Sequence, residues 1–144
     1  MSILTGIIFI VYLLFLSRLL LFRYPVHVSF NSINLIPFKT ILIYLKGDPY
    51  LNVALRNLIG NIAIFFPFGF LAPLITDKAN SYRRIILFSA VFSLLFELSQ
   101  LIFRVGSFDI DDLILNTLGG FLGYVSLKLM RKILVKIHKK RKII

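Results

Sequence analysis

Nine polar side chains lie in or beside long apolar runs: Asn57, Asn61, Glu97, Gln100, Arg104, Asp109, Asp111, Asp112 and Asn116. Uncompensated carboxylates and amides are costly in an apolar medium, so each needs a partner or a cavity. Their spacing is regular. Asn57 and Asn61 are four apart and share a helix face, as do Asp112 and Asn116, and Glu97, Gln100 and Arg104 follow i, i+3, i+7. Four of the six acids fall between residues 97 and 112. Such a set suits three chemistries: a polar cavity for an amphiphilic ligand, an acidic Mg²⁺-assisted site with Glu97 as general base, or a proton carrier centred on Glu97. It also suits a purely structural role. Asp111 or Asp112 would then cap a helix, the asparagines would join helices, and Glu97 would pair with Arg104 or Arg56.

The elements that must position these groups are membrane spans. Hydrophobic residues make up 58% of the 144 and charged residues 16%, where a soluble domain carries about 25% charged. A chain this short has too little interior to hide so much apolar surface. The sequence therefore predicts one all-α domain: a polytopic bundle of about four transmembrane helices with a short re-entrant or interfacial segment.

Residues 3–22 form the first apolar run, broken by Arg18. It lacks a preceding cation and a following small-residue cleavage site, and it is long for a signal peptide, so it reads as a span. Residues 38–45 are too few to cross about 30 Å of hydrocarbon and read as the re-entrant segment. The second span is expected over 51–75, with a kink or break at Pro67 and close helix contacts at Gly60 and Gly69. The third is expected over 85–103, after a polar turn at 77–84, and the fourth from Asp112 to about Met130. Gly119 and Gly123 of the fourth are expected to pack on another span of the same chain. The transmembrane domain is thus 1–130, and 131–144 is a basic tail. That tail is either frayed or a continuation of the fourth helix with Ile133, Leu134 and Ile137 on lipid.

The net charge of +11 is concentrated in that tail, which with Lys128 holds eight of the seventeen cations. Basic segments beside a span stay cytoplasmic, so the C-terminus is placed inside and the acidic loop 104–112 outside. The same logic makes nucleic acid an unexpected partner and membrane lipids the expected one. There is no cysteine, and His27 and His138 lie outside the apolar runs. No disulfide, His–Cys metal site or cofactor is expected. At about 1.5 Å per residue, Asn61 lies about 7 Å from the level of Arg56, Glu97 about 10 Å from Arg104, and Asn116 about 6 Å from Asp112. All three are measured from one membrane face, so groups from three spans share a level.

Several of these segments resemble the VanZ-like family. They are Asn34-Leu35-Ile36-Pro37-Phe38, Asn57-Leu58-Ile59-Gly60-Asn61 leading to Phe66-Pro67-Phe68-Gly69, and Glu97-Leu98-Ser99-Gln100 with Arg104. Phe108-Asp109-Ile110-Asp111-Asp112, running on to Asn116-Thr117-Leu118-Gly119-Gly120, completes the pattern. The resemblance implies a protein of the bacterial cytoplasmic membrane, in a family whose founding member is linked to low-level resistance to the glycopeptide teicoplanin. The favoured reading is then a non-enzymatic envelope protein that binds a lipid-linked or amphiphilic ligand, such as a lipid-linked cell-wall precursor or a glycopeptide. The alternatives are an enzyme acting on a lipid (pyro)phosphate headgroup, with Asp109, Asp111 and Asp112 around Mg²⁺, and a small proton-coupled transporter. The first has no histidine nucleophile or glycine-rich phosphate cradle. The second has few spans for a monomer and no evident internal repeat. The sequence names no catalytic residue and no oligomeric state.

Overall fold

The computed structural model describes residues 3–21, 33–46 and 50–141. His27 lies outside the described residues. Five α-helices carry the chain: α1 (Ile3–Leu21), α2 (Lys39–Leu45), α3 (Leu51–Ile75), α4 (Tyr82–Ile102) and α5 (Ile110–Arg141). α1, α3, α4 and α5 are long and apolar enough to cross a membrane. Helix α2 has seven residues and matches the short re-entrant or interfacial segment expected there. The protein is an all-α membrane bundle of four spans.

Contacts fix how the spans run relative to one another. Gln100 Nε2 donates to the Leu20 carbonyl over 2.8 Å, which places the end of α1 beside the end of α4. The Phe9 and Phe68 rings lie 6.0 Å apart, and those of Tyr82 and Tyr124 5.0 Å apart. Hence α1 and α4 run one way and α3 and α5 the other. The acidic loop and the start of α3 share one end of the bundle. The turn at 77–79 and the basic half of α5 share the opposite end.

Helices α3 and α5 form the closest pair, and glycine makes the approach possible. A Cβ on Gly69 would stand 1.7 Å from the Gly120 carbonyl oxygen. One on Gly119 would meet the Ile62 carbonyl oxygen at 2.2 Å, and one on Gly123 that of Phe66 at 2.0 Å. The small-residue face of α5 thus packs within its own chain. Gly60 does not share this role, because a Cβ there would meet nothing within 4 Å. A buried cluster of Leu16, Leu20, Phe65, Phe68, Ala72, Ile85 and Tyr124 fills the space between α1, α3, α4 and α5.

Of the kink or break expected at Pro67, the break is absent: α3 is one helix through both Pro67 and Pro73. A side chain of α1 meets the helix at this level. Tyr12 Oη donates to the Ile64 carbonyl at 2.8 Å, and the Phe68 backbone N–H faces the same hydroxyl. Ile64 is one residue on from Ala63, whose carbonyl loses its N–H partner to the proline, and Tyr12 enters the ladder beside it.

Other boundaries shift for local reasons. Helix α4 starts at Tyr82, because the Ser81 hydroxyl caps it by accepting from the Arg84 N–H at 3.3 Å; Arg83 and Arg84 are therefore helical and not part of a turn. It ends at Ile102, short of the expected 103. The Val105 N–H bonds the Gln100 carbonyl and the Arg104 N–H that of Leu101, and Arg104 has φ 54°. This is a Schellman ending with arginine at the left-handed position usually held by glycine. Helix α5 continues to Arg141, so the basic segment prolongs the fourth span. A two-residue parallel ladder, β1 (Ile33–Asn34) on β2 (Phe108–Asp109), was not anticipated.

Candidate functional site

The site grows from that ladder. Its register sets Asn34 opposite Asp109, and Asn34 Nδ2 donates to Asp109 Oδ1 at 2.9 Å. The Thr40 hydroxyl donates to Asp109 Oδ2 at 2.7 Å. The Asp111 N–H also donates to Asp109 Oδ1, at 2.9 Å. Asp109 precedes the first residue of α5, so it is the N-cap of that helix; the cap is neither Asp111 nor Asp112.

Asp111 is fully buried and holds the re-entrant segment. Its Oδ1 accepts from the Phe38 N–H. Its Oδ2 accepts from Thr40 at 2.7 Å and Ile41 at 3.1 Å. Phe38, directly after Pro37, has φ 65°. A left-handed residue followed by helix turns successive N–H groups into one concave nest, which suits an anion. The carboxylate of α5 thus caps α2 from across the bundle and satisfies donors that water would otherwise take.

The remaining predicted residues tie the spans together below this clasp. Glu97, 4% exposed, accepts from the Asp109 N–H through Oε2 at 2.9 Å. Asn61 Nδ2 donates to Asp112 Oδ1, joining α3 to α5. Asn116 Nδ2 donates to the buried Ser93 hydroxyl at 2.9 Å, joining α5 to α4. Its Oδ1, like the Ser89 hydroxyl, is buried without a hydrogen-bond partner among the described residues. Gln100 holds α1. Asn57 Nδ2 reaches Tyr44 Oη of α2 at 3.0 Å. Glu97, Asn61, Asp109, Asp111, Asp112 and Asn116 are therefore brought to one end of the bundle. Arg104 is not among them: α4 has ended before it, and its side chain is exposed.

Thr40, Tyr44, Ser93 and Tyr12 belong to the constellation without having been placed among its candidates from sequence, and Asn34 entered only through the family resemblance. Thr40 and Tyr44 carried a weak signal as polar groups on a short apolar helix. Ser93 carried one through its i, i+4 spacing to Glu97.

Both oxygens of Asp109 and of Asp111 are used by donors of this chain. Among the described residues no three carboxylates or imidazoles are grouped as a metal site. The cluster is thus arranged to fasten α2 and the span ends, and does not suit Mg²⁺ held by Asp109, Asp111 and Asp112.

The open space lies beside it. A cavity of about 410 Å³ between α1 and α3 is lined by Tyr12, Phe15, Leu16, Gly60, Ala63, Ile64 and Pro67. Arg56, four residues before Gly60, and Asn57, three before it, share that side of α3 at the end nearer α2. The groove is apolar along its length, and Arg56 lies one helical turn before Gly60, its lining residue nearest the start of α3.

Residues 9–131 match the family model described as VanZ/LLP1. The chain belongs to the VanZ/LLP1 family. It is 39% identical over 118 residues to Protein VanZ of Enterococcus faecium, a match covering 78% of this chain and 66% of that one. The chain thus spans just under two thirds of that relative's length. No solved structure matches. Every VanZ/LLP1 site residue discussed above, from Tyr12 to Asn116, falls within the matched segment.

Proposed function

We propose that this VanZ/LLP1 protein is a non-enzymatic binder of an amphiphilic, lipid-linked envelope ligand, and that it thereby lowers susceptibility to glycopeptides. The observation that carries the reading is the α1–α3 groove. Its volume and apolar lining suit an acyl or polyprenyl chain, and Arg56, one helical turn before Gly60, suits an anionic phosphate or pyrophosphate head. The likeness to Protein VanZ supports the link to resistance. In this reading the protein lies in the cytoplasmic membrane with its C-terminus inside. The acidic loop, α2 and the groove mouth then face the outer leaflet, where lipid-linked precursors and lipophilic glycopeptides meet.

The site chemistry favours binding over bond cleavage, because two of the three carboxylates that would serve a metal, Asp109 and Asp111, are engaged with α2 and the residues before it. A test in a teicoplanin-sensitive bacterium compares wild type with Gly60→Trp and Arg56→Gln at equal membrane levels. Gly60 faces open space, so tryptophan fills the groove without striking backbone. Wild type is expected to raise the inhibitory concentration of teicoplanin, and Gly60→Trp to abolish the rise. If both confer the same protection, or wild type confers none, the resistance reading is lost.

A further inference from the structure

Helix α5 has 32 residues and extends about 48 Å at ~1.5 Å per residue, against a hydrocarbon core of about 30 Å. The surplus lies at its basic end. There Tyr82 stacks edge-on against Tyr124, and Lys128 Nζ sits 5.3 Å from the Tyr124 ring centroid. Lys128, the first cation of α5, lies about 27 Å along the helix from Ile110 and marks the approach to a headgroup level.

From Lys128 to Lys139 the sequence is two-sided, with Val135 the one aliphatic residue on the basic side. With 3.6 residues per turn, Leu129, Met130, Ile133, Leu134 and Ile137 fall on one arc. Lys128, Arg131, Lys132, Lys136 and Lys139 fall on the other. The five apolar side chains are 41–58% exposed. Leu118 and Leu122, exposed on the spanning part of α5, lie on the same side as Leu129, Ile133 and Ile137. The stripe is thus a continuation of the lipid-facing side of the span. Lys78, Arg83 and Arg84 at the same end add charge of the same sign, and Asp77 is the single acid there among the described residues.

We propose that α5 beyond Lys128 leans onto the leaflet and binds anionic phospholipid, its apolar stripe toward the acyl region and its cations on headgroup phosphates. Continuity with the lipid-facing side argues for bilayer as the occupant of the stripe, and the basic arc selects a negatively charged leaflet. The proposal is independent of the α1–α3 groove.

The chain has no cysteine, so single cysteines can be placed by Ile133→Cys, Ile137→Cys, Lys132→Cys and Lys136→Cys in the full-length protein and spin-labelled. Oxygen and nickel-chelate accessibility is then read in phosphatidylcholine vesicles with and without about 30% phosphatidylglycerol. In anionic vesicles the two isoleucine positions should become oxygen-accessible and the two lysine positions remain nickel-accessible. The contrast should fall by about threefold or more in neutral vesicles, in about 1 M salt, or after Arg131→Gln with Lys139→Gln. Uniform nickel accessibility in anionic vesicles would mean a tail standing in water and would overturn the proposal. So would a contrast indifferent to lipid charge. Spin–spin coupling at Ile133 independent of lipid composition would overturn it as well, by showing a second copy on the stripe.

Discussion

Asp111 carries the largest single burden among the polar residues. Three backbone donors of the re-entrant segment end on its two oxygens, and an asparagine there would present one acceptor and an opposed NH₂. Asp111→Asn is expected to destabilise the protein by about 2–3 kcal/mol and to speed amide exchange at Thr40 and Ile41 while leaving the core of α3 protected. Hydrogen exchange resolved by peptide checks both halves. Arg104 is the counter-case. Its type and spacing suggested membership in the site, yet its backbone ends α4 in a conformation that glycine adopts freely. Arg104→Gly should raise stability by about 1 kcal/mol without loss of the proposed teicoplanin protection; a loss of that protection relative to wild type would return Arg104 to the site. Ser89, buried with an unpartnered hydroxyl against Gly120, should tolerate alanine with little change or a small gain in melting temperature.

Apolar run length made the four spans and the short α2 legible in the sequence, since the bilayer fixes how many residues a crossing needs. The polar residues buried within those runs were legible too, because lipid makes each of them conspicuous. What was hidden depended on partners distant in the chain. Pro67 signalled a kink or break, and nothing local reveals a tyrosine on another helix at Ile64 and Phe68. The i, i+7 relation of Glu97 to Arg104 assumed a helix that the Schellman ending stops. The nest that receives Asp111 needs a left-handed Phe38, which no propensity favours. Glycines show the same limit, for Gly60 and Gly69 look alike in sequence but only Gly69 faces a backbone. Gly69→Ala is therefore expected to push α3 from α5 and cost about 2 kcal/mol or more. Gly60→Ala should be neutral or stabilising by about 0.5–1 kcal/mol. Melting of the detergent-solubilised variants distinguishes the two.

At the scale of the whole molecule, charge and chemistry are segregated by membrane face. One end gathers Glu97, Asp109, Asp111 and Asp112 with α2, and the other gathers the cations of α4 and α5. The Asp111 clasp requires α2 and the acidic loop to lie on one side, so Lys39, Lys46 and Arg56 share that side despite their charge. In the proposed orientation, with the C-terminus inside, the dense basic arc of α5 outweighs them. Between the two ends lies the α1–α3 groove, and the functional account depends on its being filled by an amphiphile. Native mass spectrometry of the purified protein with a polyprenyl diphosphate addresses this directly. The account predicts a one-to-one adduct on wild type that weakens about tenfold or more with Gly60→Trp and less steeply with Arg56→Gln. Equal adduct formation by all three proteins, or none by wild type, would contradict it.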